Sequence, residues 1–170
     1  NCAVHNGAAK CWGYNGEKQL GNGNTSNSSV PVAVSGLTSS VAKVTVGYSS
    51  CALTVDGAAK CWGFNAYGQV GDGTVVDKAT PVTVQGLGSG VTDLYAGTYS
   101  ACAVVAGAAK CWGVNNNGQL GDGSMTPRSA PVAVSGLSSG VSRIFSGEAH
   151  SCAVLSDGSS KCWGKNNAGQ

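Results

Sequence analysis

The eight cysteines carry the clearest chemical potential in this chain. They fall into four pairs: Cys2 and Cys11, Cys51 and Cys61, Cys102 and Cys111, Cys152 and Cys162. Paired thiols can oxidise to a disulfide, hold zinc as thiolates, or stay reduced as small buried side chains. Their spacing bears on the choice. Cys2 and Cys11 flank Asn6-Gly7, a dipeptide suited to a two-residue hairpin turn. Folding about that turn sets His5 opposite Ala8, Val4 opposite Ala9, Ala3 opposite Lys10 and Cys2 opposite Cys11. Ala106-Gly107 places Cys102 and Cys111 in the same way. In the other two pairs the turn gains one residue, as Val55-Asp56-Gly57 and Ser156-Asp157-Gly158, and the cysteine spacing also grows by one. Each cysteine therefore keeps its partner. A cross-strand disulfide needs this compensation, because its two Cβ atoms must lie about 4 Å apart. Each bond would close a small loop and contribute roughly 2.5 kcal/mol. Buried reduced thiols are an alternative. Zinc is another, though the chain has no short C-x2-4-C knuckle. Disulfides imply an oxidising, extracellular compartment, secreted or at the cell surface.

The remaining candidates for chemistry point to structure. His5 and His150 stand at different places in their surroundings. Neither is marked by a carboxylate and a nucleophile, as a catalytic triad requires. His5 borders a turn and is expected to be exposed, and His150 is expected to make a structural hydrogen bond. The loops at 68–73 and 118–123 are glycine-rich but lack the Lys-Ser/Thr of a phosphate cradle. Gly71, Gly73, Gly121 and Gly123 read as tight-turn residues with positive φ. Asp72 and Asp122 occur once per loop, with Asn22 in the first copy. No D-x-D-x-D-G run accompanies them, so they read as turn caps and not calcium ligands. The expectation is a protein without catalytic residues, cofactor or metal. A net charge of +2 with 11% charged residues lacks the basic clustering that nucleic acid requires. No run of 18 apolar residues suggests a membrane span. Asn24 and Asn27 head N-x-S/T sequons and are possible glycosylation sites.

The elements that position these residues recur. Gly-Ala-Ala-Lys-Cys-Trp-Gly stands at 7–13, 57–63 and 107–113, and a variant opens a fourth copy at 159. Trp12, Trp62, Trp112 and Trp163 are spaced by 50, 50 and 51 residues. Such a period signals a repeat architecture. In the second unit the pattern predicts strands over 41–47, 51–55, 58–64 and 81–84. Pro81 would open the last of these, as suits an edge strand. No window shows a helical period. Four antiparallel strands every fifty residues match a β-propeller blade, so the chain reads as all-β. Residues 1–170 form one repeat domain, with repeats at about 1–50, 51–101, 102–151 and a partial 152–170.

The string Cys-Trp-Gly-x-Asn-x-x-Gly-Gln-Leu/Val-Gly-x-Gly runs from Cys61 to Gly73 and from Cys111 to Gly123. It resembles the repeat of the regulator of chromosome condensation family, in its disulfide-containing Cys-Trp-Gly form. Downstream Pro-Val-x-Val-x-Gly-Leu segments match as well, and the likeness covers the whole chain. The resemblance implies blades of a seven-bladed propeller. On that pattern the chain holds two full blades, 41–86 and 91–136, flanked by partial ones. This is about half a ring, to be completed by a longer chain or by copies of itself. The tryptophans would pack between blades. Positions that vary between repeats are the interaction candidates: Tyr14 and Phe64 after Trp-Gly, Tyr48 and Tyr99 at the turn into the second strand, and Tyr67 in the loop. The expected function is a secreted or cell-surface, non-catalytic scaffold for protein–protein interaction or extracellular assembly. Its partner is an unknown protein or the chain itself. Two alternatives stand beside it, an enzyme inhibitor of the β-lactamase-inhibitor kind and a structural subunit of an extracellular polymer.

Overall fold

A computed structural model of the chain describes residues 1–169. Gln170, the last residue of the fourth repeat, lies outside the described residues. These hold strands and no helix. The first sheet joins β1 (Cys2–His5), β2 (Ala8–Gly13) and β3 (Ser28–Ala33). The second joins β4 (Val41–Val46), β5 (Ser49–Thr54), β6 (Ala59–Gly63) and β7 (Lys78–Thr83). The third joins β8 (Val91–Ala96), β9 (Ser100–Val105), β10 (Ala108–Gly113) and β11 (Arg128–Ala133). The fourth joins β12 (Val141–Ser146), β13 (His150–Leu155) and β14 (Ser160–Gly164). Within each sheet, strands neighbour one another in chain order and pair antiparallel. The all-β, blade-like architecture expected from the sequence is the one observed.

The hairpin registers follow from turn chemistry. Cys2 faces Cys11, and His5 faces Ala8. Asn6 and Gly7 have φ of 49° and 74°, and Ala106 and Gly107 have φ of 50° and 77°. Positive φ at both central residues is the hairpin geometry that matches strand twist. Where the turn is one residue longer, Cys51 still faces Cys61 and Cys152 still faces Cys162.

Two strand starts differ from the sequence reading by more than one residue. The second strand of the second unit starts at Ser49 and not Cys51, because Ser49 pairs with Gly63. The fourth strand starts at Lys78, three residues before Pro81. There the ladder runs Gly63 to Lys78, shifts across a bulge, and resumes at Cys61 to Val82. Pro81 therefore sits inside β7. It is tolerated because β7 is the terminal strand of its sheet, where a missing N–H leaves no ladder bond unmade.

The sheets stack face to face, and the cores lie between them. Leu20, Val34 and Leu37 of the first unit meet Val41, Ala52 and Trp62 of the second. Val70, Val84 and Leu87 meet Val91, Leu94 and Trp112 in the same way. Leu120, Val134 and Leu137 meet Val141, Ile144 and Ala153. Covered on both faces, β5 is buried along its whole length. In the two four-stranded sheets the turn between first and second strands and the loop between third and fourth lie at one end of the sheet. The hairpin turns lie at the other.

Candidate aromatic interaction surface

Three of the four tryptophans are latched to the blade before them. The Trp62 indole N–H donates to the Gln19 carbonyl at 2.9 Å, Trp112 to Gln69 at 3.0 Å and Trp163 to Gln119 at 2.9 Å. The ring lies against a glycine two residues beyond each glutamine. A Cβ built on Gly71 would stand 2.6 Å from Trp112 Nε1, and one on Gly121 2.7 Å from Trp163 Nε1. Gly71 and Gly121 are thus turn residues, as expected, and also seats for the next blade's indole. Gly73 and Gly123 have positive φ as well, but only a glutamine side chain approaches Gly73 and nothing approaches Gly123. Trp62 and Trp112 are fully buried. Trp163 packs partly buried on the third core, and Trp12 of the first sheet is half-buried.

The loop after each latch is organised by a buried asparagine that the sequence reading passed over. Asn65 Nδ2 donates to the Thr74 and Val76 carbonyls at 3.1 and 3.0 Å, and its Oδ1 accepts from Val70 N at 2.8 Å. Asn15 and Asn115 repeat this pattern. The signal was present as the invariant Asn of the quoted string. Asp72 caps the same loop, accepting from Thr74 N at 3.0 Å and pairing with Lys78 at 2.7 Å. Asp122 does so with Ser124 N and Arg128, both at 2.9 Å. Burial pushes the Asp122 carboxyl up, but hydrogen bonds from Ser124, Arg128 and Asn115 outweigh it and hold it at about 2.

On these rigid loops four aromatic rings close into a circuit. Tyr48 stacks on Tyr99 with centroids 4.9 Å apart. Tyr99 meets Tyr67 edge-on at 6.2 Å, Tyr67 meets Phe64 at 6.1 Å, and Phe64 meets Tyr48 at 6.1 Å. The circuit spans two blades at the end of the sheets opposite the hairpins. Backbone bonds string its turns together, Tyr48 N to Thr98 O at 3.3 Å and Thr98 N to Gly147 O at 3.4 Å. Tyr48 is 45% exposed and Tyr67 48%. A pocket of about 190 Å³ opens beside it, lined by Tyr67, Tyr99, Val114 and Asn116. Four of the five aromatic residues singled out in the sequence thus form one surface. Tyr14 does not join it. It is 61% exposed, and its ring folds back over Gly16 of its own loop.

The other candidates lie elsewhere. All eight cysteines are joined as Cys2–Cys11, Cys51–Cys61, Cys102–Cys111 and Cys152–Cys162, with Cα atoms 4.0 to 4.1 Å apart. His5 is exposed, its Nε2 3.3 Å from Asn6 Nδ2. The expected hydrogen bond of His150 is not made among the described residues, and its ring packs on Gly147 instead. Asn24 and Asn27 are exposed, yet both side-chain oxygens are engaged, accepting from Ser26 N at 2.9 Å and from Asn15 N at 2.8 Å. A groove of about 340 Å³ along the first strands of the blades is lined by Lys43, Asp93, Arg143 and Phe145. Its one carboxylate is committed to structure, held by Lys43 at 2.7 Å and by Ile144 N at 3.0 Å.

Stacked antiparallel blades, each latched to the last through one indole, define a propeller-type repeat protein. The regulator of chromosome condensation (RCC1) repeat model matches residues 6–53, 56–104 and 110–154, and a second model of that repeat matches 41–69 and 141–170. The chain belongs to the RCC1 repeat family. Among solved structures it is similar to human WBSCR16, at 25% identity and a TM-score of 0.83, over 98% of this chain and 45% of that one. It is also similar to yeast RCC1 (Prp20) solved with Kap60, at 21% identity and a TM-score of 0.76, over 94% of this chain and 40% of that one. A third is Prp20p from Saccharomyces cerevisiae, described with its binding to Gsp1p and histones, at 22% identity and a TM-score of 0.72, over 92% and 41%. The chain spans less than half the length of these structures. Sequence comparison with curated proteins finds no match.

Proposed function

We propose that this chain is a non-catalytic scaffold for protein–protein recognition, secreted or displayed at the cell surface, and that it engages its partner through Tyr48, Phe64, Tyr67 and Tyr99. The observation that carries this reading is the closed circuit of four part-exposed rings. Aromatic side chains held on a rigid scaffold bury a large area on binding at little entropic cost, and they dominate interface energies. That relatives of this fold are described with protein partners agrees with it. An enzyme-inhibitor role draws on the same aromatic surface and would make the partner an enzyme.

The test is a photo-crosslinking residue at position 67, with one at exposed Val30 as control, in the protein exposed to its native surroundings. One adduct should form at 67 and not at 30. The purified partner should then lose more than about tenfold in affinity for Tyr99→Ala, as expected when a central aromatic anchor is truncated. A partner that crosslinks equally at both places, or binds Tyr99→Ala unchanged, refutes the surface. The extracellular placement has its own check. Alkylating the natural protein, denatured but unreduced, should leave every cysteine unmodified, whereas eight modified cysteines would overturn it.

A further inference from the structure

The aromatic circuit has an electrostatic border on one side. Tyr99 and Glu148 occupy neighbouring turns, joined by the Thr98 N to Gly147 O bond of 3.4 Å. Glu148 is exposed, and among the described residues it pairs with no cation within 4 Å. Lys165 stands on the following loop, its N–H bonded to Ala149 O at 2.8 Å, and leaves that carboxylate unpaired. The pocket beside Tyr67 and Tyr99 is closed by Val114 and Asn116; no Lys or Arg lines it, and Glu148 lies outside its lining, on the turn next to that of Tyr99. Aromatic faces carry negative potential, and a nearby carboxylate adds to it. The Tyr99 hydroxyl has a raised pKa, first through Tyr48 beside it, then through burial, with the negative charge of Glu148 a smaller contribution.

We infer that this pocket receives a cationic side chain, arginine or lysine, presented by the protein partner. The aliphatic stem would lie on Val114, the charged head would face the Tyr67 and Tyr99 rings, and Glu148 would supply the opposite charge. An apolar side chain would satisfy the rings equally well but leave Glu148 without use. This inference rests on the aromatic surface being the recognition site and adds the charge of what enters it.

The experiment titrates the whole chain with N-acetyl-arginine amide and, separately, with N-acetyl-norleucine amide, each to 50 mM. Tyrosine ring signals are followed by NMR. The arginine probe should move the Tyr67 and Tyr99 rings saturably, and the norleucine probe should leave them near their starting positions. Glu148→Gln should weaken the arginine probe about threefold, the size expected for an exposed ion pair, and added salt should weaken it in the wild type. Equal response to both probes, an unchanged titration for Glu148→Gln, or no response to arginine overturns the cation site. These outcomes are separate from the crosslinking test. A partner that crosslinks at 67 and depends on Tyr99, while both probes act alike, would keep the recognition surface and discard only its preference for charge.

Discussion

Replacing Gly71 by alanine tests the inter-blade latch, and Gly123→Ala supplies the control. Both glycines have positive φ, +77° and +81°. Alanine at either position takes on the left-handed backbone penalty of about 1–2 kcal/mol. At Gly123 nothing lies within 4 Å of the added Cβ, so that penalty is the whole effect. At Gly71 the Cβ would stand 2.6 Å from Trp112 Nε1 and 2.8 Å from Cδ1, well inside contact distance. The indole is fully buried, so it can yield only by repacking. Overpacking of that kind costs about 1–3 kcal/mol. If the shift also breaks the 3.0 Å bond to Gln69 O, a buried N–H is stranded for about 1–3 kcal/mol more. Gly71→Ala should therefore destabilise by about 2–5 kcal/mol with the bond kept and about 3–8 with it broken, and Gly123→Ala by about 1–2. Denaturant unfolding of the disulfide-intact proteins, followed by tryptophan fluorescence and amide circular dichroism, measures both. Equal losses for the two variants would refute the latch and leave only a turn effect.

Three further outcomes are expected. Ala106→Asn should raise stability by about 0.5–1 kcal/mol, because Ala106 is exposed with φ of 50° and the equivalent Asn6 has φ of 49°; an unchanged denaturation midpoint would count against the strain. Asn65→Asp should destabilise by more than about 2 kcal/mol near neutral pH, since a carboxylate would replace Nδ2 against two carbonyl oxygens and Asp72. Thermal melts against pH would show that loss easing in acid. For Asp122 the folded pKa of about 2 lies below the ordinary 3.8, so its stabilisation is present above about pH 4 and fades as pH falls toward 2. Its side chain is 8% exposed but its Arg128 partner 41%, and with solvent screening the effect should be about 1 kcal/mol. Asp122→Asn should flatten that part of the stability profile, and an unchanged slope would refute the assignment.

Much of the fold was legible because its determinants are local. Asn6-Gly7 sets a register by itself, and the extra residue of Val55-Asp56-Gly57 announces its compensation in the cysteine spacing. The start of β7 was not legible, because the bulge between Cys61 and Gly63 depends on which residues of two strands meet. The site divided in the same way. Tyr48, Phe64, Tyr67 and Tyr99 stood out as positions that vary among repeats. That they close into one circuit, and that Tyr14 stays apart, follows from how one blade is laid on the next. Asn65 was hidden by its regularity. It recurs at Asn15 and Asn115, and in a repeat the residues that never change look alike whether they bond the loop or merely fill it.

The latch also bears on how such a chain can grow. A donor indole and its acceptor carbonyl lie 43 or 44 residues apart, always from one unit to the unit before it. Gain or loss of a whole unit by unequal recombination therefore leaves every remaining joint intact, whereas a cut at any other length severs one. Keeping the joints requires a period near fifty residues and places no such demand on the turns at Tyr48, Tyr99 and Glu148. A lineage can then change what the surface recognises without redesigning what holds it together.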